Sequence, residues 1–343
     1  MNISIQLKSI LAKVFNLSGI INYKIRKYSK RKYLILMYHR IIPYEEAGPG
    51  VQAGMYVEPD TFEMHIRYLK NRFKIISLSD IFNNLQGLKT MKSNLPICII
   101  TFDDGWYDFY KYAYPILEKQ NVPATVFLPT EFIGTQDMFW TDEVSSIMAM
   151  EKNIGEKLSK KRGLSNNKVQ MFMKLRGPLE LQIEEVLSSL KEYQDGEIKK
   201  IMTDLKTILG ADKVIRRRSF LNWEEVKLME ESGLITFGSH SAKHKILVNI
   251  NENEIVEELI ESKNTLLAKG VVQRSFIPFC YPNGDYNERI VQIVRDTGYH
   301  VAVTTESGWN HVNIPQFNLH RIAIHQDMSF NKQLFGCRIA NLL

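Results

Sequence analysis

Two short polar clusters in this 343-residue chain hold residue types that can do chemistry together. The first is Thr101-Phe102-Asp103-Asp104-Gly105-Trp106, placed directly after the apolar run Ile97–Ile100. Side chains alternate faces along a regular strand. At a strand end the chain turns, however, and both carboxylates can reach one site if Gly105 permits that turn. Two carboxylates held close cannot both stay charged cheaply unless a cation or a proton lies between them. The second cluster is Gly238-Ser239-His240-Ser241-Ala242-Lys243-His244, which again follows an apolar run, Leu234–Phe237. Histidines at i and i+4 share a face if the segment turns into a helix, close enough to hold one ion. Two histidines and a carboxylate are a metal set that leaves positions open for water and substrate. Asp-Asp-Gly alone can be an ordinary turn, and an isolated HxxxH pair arises by chance. Two such clusters, each at a strand end, carry far more weight.

The elements that must position them read as alternating β and α units. Strands are predicted at Tyr33–Tyr38, Lys74–Ser77, Ile97–Phe102, Ala124–Leu128, Leu234–Gly238, Ser275–Tyr281, His300–Thr304 and Asn318–Ile322. Helical spacing is clearest at Thr61–Asn71, Tyr107–Gln120, Trp223–Ser232, Glu252–Lys269 and Asn287–Thr297. Near-continuous apolar strands separated by helices imply a parallel sheet, as a barrel or doubly wound, with an active site at the strands' C-terminal ends. From about 135 to 219 the rhythm breaks into Lys-, Glu-, Leu- and Met-rich helical sequence, with Leu179–Leu209 as one or two amphipathic helices. This is read as a helical insertion within a domain spanning 33–343.

With 44% hydrophobic and 24% charged residues the chain has ample material for a core. Cys98, Cys280 and Cys337 form no CxxC pair, which argues against a disulfide framework and a cysteine-built zinc site. The net charge of +6 is unevenly spread: Met1–Tyr44 holds nine Lys/Arg and no acid, and the rest of the chain is net −3. A nucleic-acid enzyme spreads basic character over a binding face, so no nucleic-acid partner is expected. In the arm 1–32, Ile3, Leu7, Ile10, Leu11, Val14, Leu17 and Ile21 recur at helical spacing before the cluster Lys24 to Lys32. The simpler reading is a capping helix with a solvated basic linker; the other is a basic amphipathic helix lying on an anionic membrane surface. Polar interruptions make a poor signal peptide, and no run of eighteen apolar residues occurs. A cytoplasmic protein is expected, with peripheral contact on the inner membrane face as the reading the arm allows.

Thr101–Gly105 and His240–His244 resemble the first two motifs of the polysaccharide deacetylases, the fourth family of carbohydrate esterases. Leu221–Gly233 is similar to the helix that precedes their His motif, and Phe279–Tyr286 to their third motif. Leu36-Met37-Tyr38-His39-Arg40 resembles the opening strand of the subgroup containing biofilm poly-N-acetylglucosamine deacetylases. The resemblance spans about Tyr33 to His325 apart from the insertion. It implies an α/β fold, a distorted (β/α)7 barrel, and a hydrolase removing N-acetyl groups from an N-acetylated glycan. By the same resemblance Asp104, His240 and His244 are metal ligands, Asp103 the general base and His39 the general acid. Other members draw that acid from a C-terminal motif, which keeps His320 and His325 as rivals. The implied cofactor is one divalent ion, zinc first, with cobalt, nickel or manganese as alternatives. Such an ion lowers the pKa of water toward about 7 and polarises a carbonyl.

Tyr281, Asn283 and Trp309 are the expected substrate-binding residues, with a backbone N–H near Asn283 meeting the oxyanion and Trp309 stacking on a sugar ring. Two positions depart from the family pattern. Cys280 stands where many members carry an Arg paired with the base, and Asn283 where they carry Tyr. Arg321 is the candidate to pair with Asp103 instead, leaving Cys280 as a packing residue. His65, His300 and His311 receive structural readings, and the other tryptophans core ones. Two rival functions stay open: deacetylation of a small or lipid-linked sugar precursor, and an inactive glycan-binding protein on the same fold.

Overall fold

Ile97–Phe102 is apolar at nearly every position, and it lies near the middle of the sheet, where a strand is covered on both faces. The computed structural model describes residues 3–29, 32–47, 51, 54–83, 95–150, 154, 172, 175–209 and 218–343. Strands are numbered β1 (Lys32–Tyr38), β2 (Arg40–Ile41), β3 (Tyr56–Val57), β4 (Lys74–Ile75), β5 (Ile97–Phe102), β6 (Ala124–Leu128), β7 (Ile235–Ser239), β8 (Pro278–Cys280), β9 (Val301–Val303), β10 (Asn310–His311) and β11 (Ile322–Ala323). Among the described residues the main sheet runs β10-β1-β5-β6-β7-β8-β9, with β11 also on β1 and β4 on β5. Every pairing is parallel except β1 with β10.

The final stretch closes this sheet on itself. Ala302 N donates to Gln316 O, Leu319 N to Ala302 O and Thr304 N to Leu319 O, so residues 316–319 lie along β9. A few residues later β11 pairs with β1, at Leu36–Ile322 and Met37–Ala323. Seven parallel strands (β1, β5, β6, β7, β8, β9, β11) thus form the expected distorted barrel. Several strands are shorter than their apolar runs suggest; Ser275–Tyr281 contributes only Pro278–Cys280 to the ladder.

Helices are numbered α1 (Ile3–Leu17), α2 (Ile20–Ser29), α3 (Pro59–Lys70), α4 (Leu78–Asn83), α5 (Tyr114–Gln120), α6 (Trp140–Met150), α7 (Leu179–Leu190), α8 (Asp195–Leu209), α9 (Trp223–Glu231), α10 (Glu252–Ala268), α11 (Glu288–Asp296) and α12 (Lys332–Ile339). The arm is two helices rather than a helix and a linker. Gly19, at φ +76°, breaks it, and Lys24, Arg26 and Lys27 are helical. The predicted helix Tyr107–Gln120 opens as a wide π-turn over Phe109–Ala113 before α5. Pro115, without an N–H to donate backward, sits at that junction. No helix among the described residues is long and apolar enough to cross a membrane.

The chain divides into two compact units. One joins Met1–Pro43, Gly54–Thr135 and Phe220–Leu343, and contains the barrel. The other joins Tyr44–Ala53 with Gln136–Ser219. This second unit has its own core, where Val144 and Ile147 of α6 meet Ile183 and Leu187 of α7 and Ile201 and Leu205 of α8.

Candidate active site

β5 continues its ladder as far as Asp103, whose N–H donates to Tyr38 O. The next two residues turn sharply: Asp104 at φ +72° and Gly105 at φ +61°. A Cβ at position 105 would lie 2.7 Å from Leu128 Cδ2, so glycine is required there on two counts. This turn lets neighbouring carboxylates serve one site. Asp104 reaches β7, where its Oδ1 lies 3.4 Å from His240 Nε2 and 3.3 Å from His244 Nε2.

The His motif brings its two imidazoles together without a helix. His240 to His244 is a loop with Ser241 at φ +61° and His244 at φ +56°, and the two rings meet edge to face at 4.7 Å. Two left-handed non-glycine residues in one short loop cost free energy, and local polar contacts offset it. Ser241 Oγ accepts from His244 N at 3.0 Å. The buried carboxylate of Glu258, on α10, accepts from Ala242 N at 3.1 Å and Lys243 N at 2.7 Å.

Whether these residues suit a metal can be read from the donor set. Donors 2.0–2.1 Å from one tetrahedral ion stand about 3.3 Å apart, which the two carboxylate–imidazole separations match. His240 Nδ1 donates to Cys280 O at 2.8 Å, leaving Nε2 as the lone pair that faces Asp104. Trp106 Nε1 donates to Asp104 Oδ2 at 3.0 Å and occupies the oxygen turned away from the histidines. The residues fit a divalent cation with nitrogen and oxygen ligands.

Asp103 points into the barrel. Arg321, fully buried just before β11, donates Nη1 to Oδ1 and Nη2 to Oδ2, each at 2.7 Å. Its remaining donors reach Thr304 O, Thr101 Oγ1 and, at 3.2 Å, Cys280 Sγ. Burial would raise the Asp103 carboxyl, but the Arg321 guanidinium outweighs it and holds the group below the usual carboxylate range. Cys280 fills space behind this pair, its thiol pushed up by burial. His39, following β1 and partly exposed, brings Nε2 to 3.9 Å from Asp103 Oδ2.

The other predicted residues are engaged in contacts of their own. His320 Nε2 pairs with Glu306 at 3.2 Å. His325 faces Asp327, and burial shifts it toward the neutral form. Tyr281 is a correction to the sequence reading: it is buried, stacks on Tyr286 and donates its hydroxyl to Phe317 O, so no ring face is left for substrate. Trp309 is another. Its indole is buried between Tyr28 and Phe73 and donates to Ile339 O, beside the N-terminal end of β1 and away from the metal cluster. Asn283, exposed at φ +57°, turns its amide to Asp285. Sequence reasoning missed Trp106 and Glu258 as parts of the site. Trp106 at least stands two residues after Asp104, whereas Glu258 carries no local signal.

One end of the barrel thus brings together an Asp104, His240 and His244 donor cluster that could hold a metal ion and a second, arginine-paired aspartate, Asp103. A sequence profile of the polysaccharide deacetylase family matches residues 91–162 and 182–302, and the chain belongs to that family. Membership makes it a carbohydrate N-deacetylase. The Bacillus subtilis (strain 168) protein YxkH is 24% identical over 309 residues, 90% of this chain and 76% of its own length. A Staphylococcus aureus poly-beta-1,6-N-acetyl-D-glucosamine N-deacetylase is 29% identical over 129 residues, covering 35% of this chain and 43% of that enzyme. In structure, the Streptococcus pyogenes deacetylase PplD covers 87% of this chain and 94% of its own, at TM-score 0.55 and 22% identity, a likeness of fold.

Proposed function

We propose that this protein removes N-acetyl groups from N-acetylated sugars of a glycan, with Asp104, His240 and His244 holding one divalent ion, zinc first. The observation that carries the reading is the meeting, at one barrel end, of that donor cluster with Asp103 and His39. The staphylococcal relative supports a poly-N-acetylglucosamine-like substrate. A divalent ion bound there supplies Lewis-acid polarisation of an amide carbonyl and lowers the pKa of water toward about 7. Asp103, kept ionised by Arg321, accepts the proton of an attacking water as general base. Arg321 also fixes which way that carboxylate faces, since both its oxygens are engaged. His39, near Asp103 and accessible, donates a proton to the leaving amine, which cannot depart as an amide anion. The contacts of His320 with Glu306, and the neutral bias of His325, favour His39 for that role. A backbone N–H of the third-motif loop near Asn283 serves the oxyanion.

Acetate release from a panel of N-acetylated oligosaccharides, with metal and after chelation, tests the reading. Release that depends on a divalent ion, and is lost in His240→Ala and His244→Ala, is expected. Full metal content in the double histidine variant would overturn the ligand assignment.

A further inference from the structure

The N-terminal helices bury little of their apolar surface. Ala12, Ile21 and Ile25 are covered, Ile21 beside Gly336 of α12. Yet Leu7, Ile10, Val14 and Leu17 are between 52% and 86% exposed, and Ile20 and Tyr23 of α2 are exposed too. At about 100° per residue the first four form one stripe on α1, opposite Ala12. Lys13, exposed, falls about 80° from the centre of that stripe and Lys8 about 140° from it, while Arg26 and Lys27 are exposed on α2. A continuous apolar stripe left in water marks an interaction surface, and capping of the barrel does not use it.

We infer that this face docks on an anionic lipid bilayer, with α1 lying in the interface. Charge selects the occupant: the arm 1–32 holds eight Lys/Arg and no acid. Two copies of the arm packed face to face would oppose like charges. A bilayer with anionic headgroups takes in the apolar stripe while the exposed Lys13, Arg26 and Lys27 extend to the phosphates. The arm also enters the barrel at the start of β1, whereas His39 follows its end. Seven residues of strand separate the two by about 20 Å. Docking through the arm therefore leaves the metal cluster open to a glycan.

The test is co-sedimentation of the full chain with phosphatidylcholine vesicles, with and without phosphatidylglycerol. The wild type is expected to bind only the anionic vesicles, and added salt to weaken binding. Leu7→Glu/Val14→Glu/Leu17→Glu should lower partitioning by more than about tenfold. Because these side chains face solvent, its circular dichroism and acetate release should match wild type, which separates lost docking from lost folding. Lys8→Gln/Lys13→Gln/Lys27→Gln should also bind less. Wild type remaining in the supernatant with anionic vesicles, or equal binding by the glutamate variant, overturns the inference. So does a wild-type dimer in analytical ultracentrifugation that the glutamate variant dissociates in the absence of lipid binding, since a second copy would then cover the face.

Discussion

Asp103 and Asp104 are adjacent, yet their surroundings assign them different chemistry. Both oxygens of Asp103 are held by Arg321, while Asp104 offers one oxygen to two imidazoles and the other to an indole. Asp103→Asn should therefore retain the metal, measured by elemental analysis, while acetate release falls by about two to four orders of magnitude. Trp106→Phe is the subtler test. The phenyl ring can stay beside Phe220 and Arg40, but the N–H to Asp104 is lost together with part of the buried ring volume. Metal affinity by competition titration should weaken roughly 10- to 100-fold, beyond the modest loss of thermal stability that the smaller buried ring brings. Unchanged affinity would mean that the indole packs without orienting the ligand. Asp103, Asp104, His240 and His244 are legible in sequence because their types are rare at the ends of apolar runs. The Tyr281 and Trp309 readings failed because an aromatic ring in a motif looks the same whether it faces sugar or core. The Arg321–Asp103 pair joins residues 218 apart, and only the departure at Cys280 hinted at it.

Strands made of long apolar runs were legible nearly to the residue, as β5 and β6 are. The two-residue strands β2, β3 and β10 were not, because so short a pairing needs no pattern of its own. The i,i+4 histidine spacing would suit a helix, but Ser241 and His244 adopt left-handed backbone that no glycine announces. What makes that loop possible comes from α10, a separate element, through Glu258. β7 itself supplies an element-level test at Gly238, where a Cβ would meet the Phe127 ring and Pro278 O at 2.8 Å. Gly238→Ala must push β7 from both neighbouring strands, and His240 lies two residues on. A loss of about 1–3 kcal/mol in urea unfolding is expected, with weaker metal binding. If stability falls and metal affinity holds, the loop is positioned by Glu258 independently of the strand.

At the scale of the whole molecule, charge is segregated: a basic arm is followed by a body whose residues 45–343 are net −3, a division visible in sequence alone. The buried polar tie through His65 was less legible, since a histidine amid helical spacing can be exposed or enclosed. His65 on α3 is fully buried and stacked on Phe335 of α12 at 3.9 Å. Its Nε2 donates to Ser329 O at 2.7 Å, so Nδ1 is left to accept the Tyr38 hydroxyl of β1. One neutral ring thus joins the first strand, a barrel helix and the C-terminal segment. Burial lowers its pKa from the ordinary 6.5 to about 3. Below 6.5 the unfolded chain takes a proton that the native chain refuses. The stability due to neutral His65 is therefore complete above that value and lost progressively as pH falls toward about 3. The slope is roughly 1.4 kcal/mol per pH unit. Urea unfolding of wild type and His65→Gln, both in chelator at neutral pH and near roughly pH 5, isolates this contribution. Glutamine can still donate to Ser329 O but does not titrate, so the variant should start less stable at neutral pH and lose about 2 kcal/mol less over the interval. Parallel losses in the two proteins would mean that His65 gains its proton in the native state, and the tie between β1 and the C-terminal segment would have to open without global unfolding.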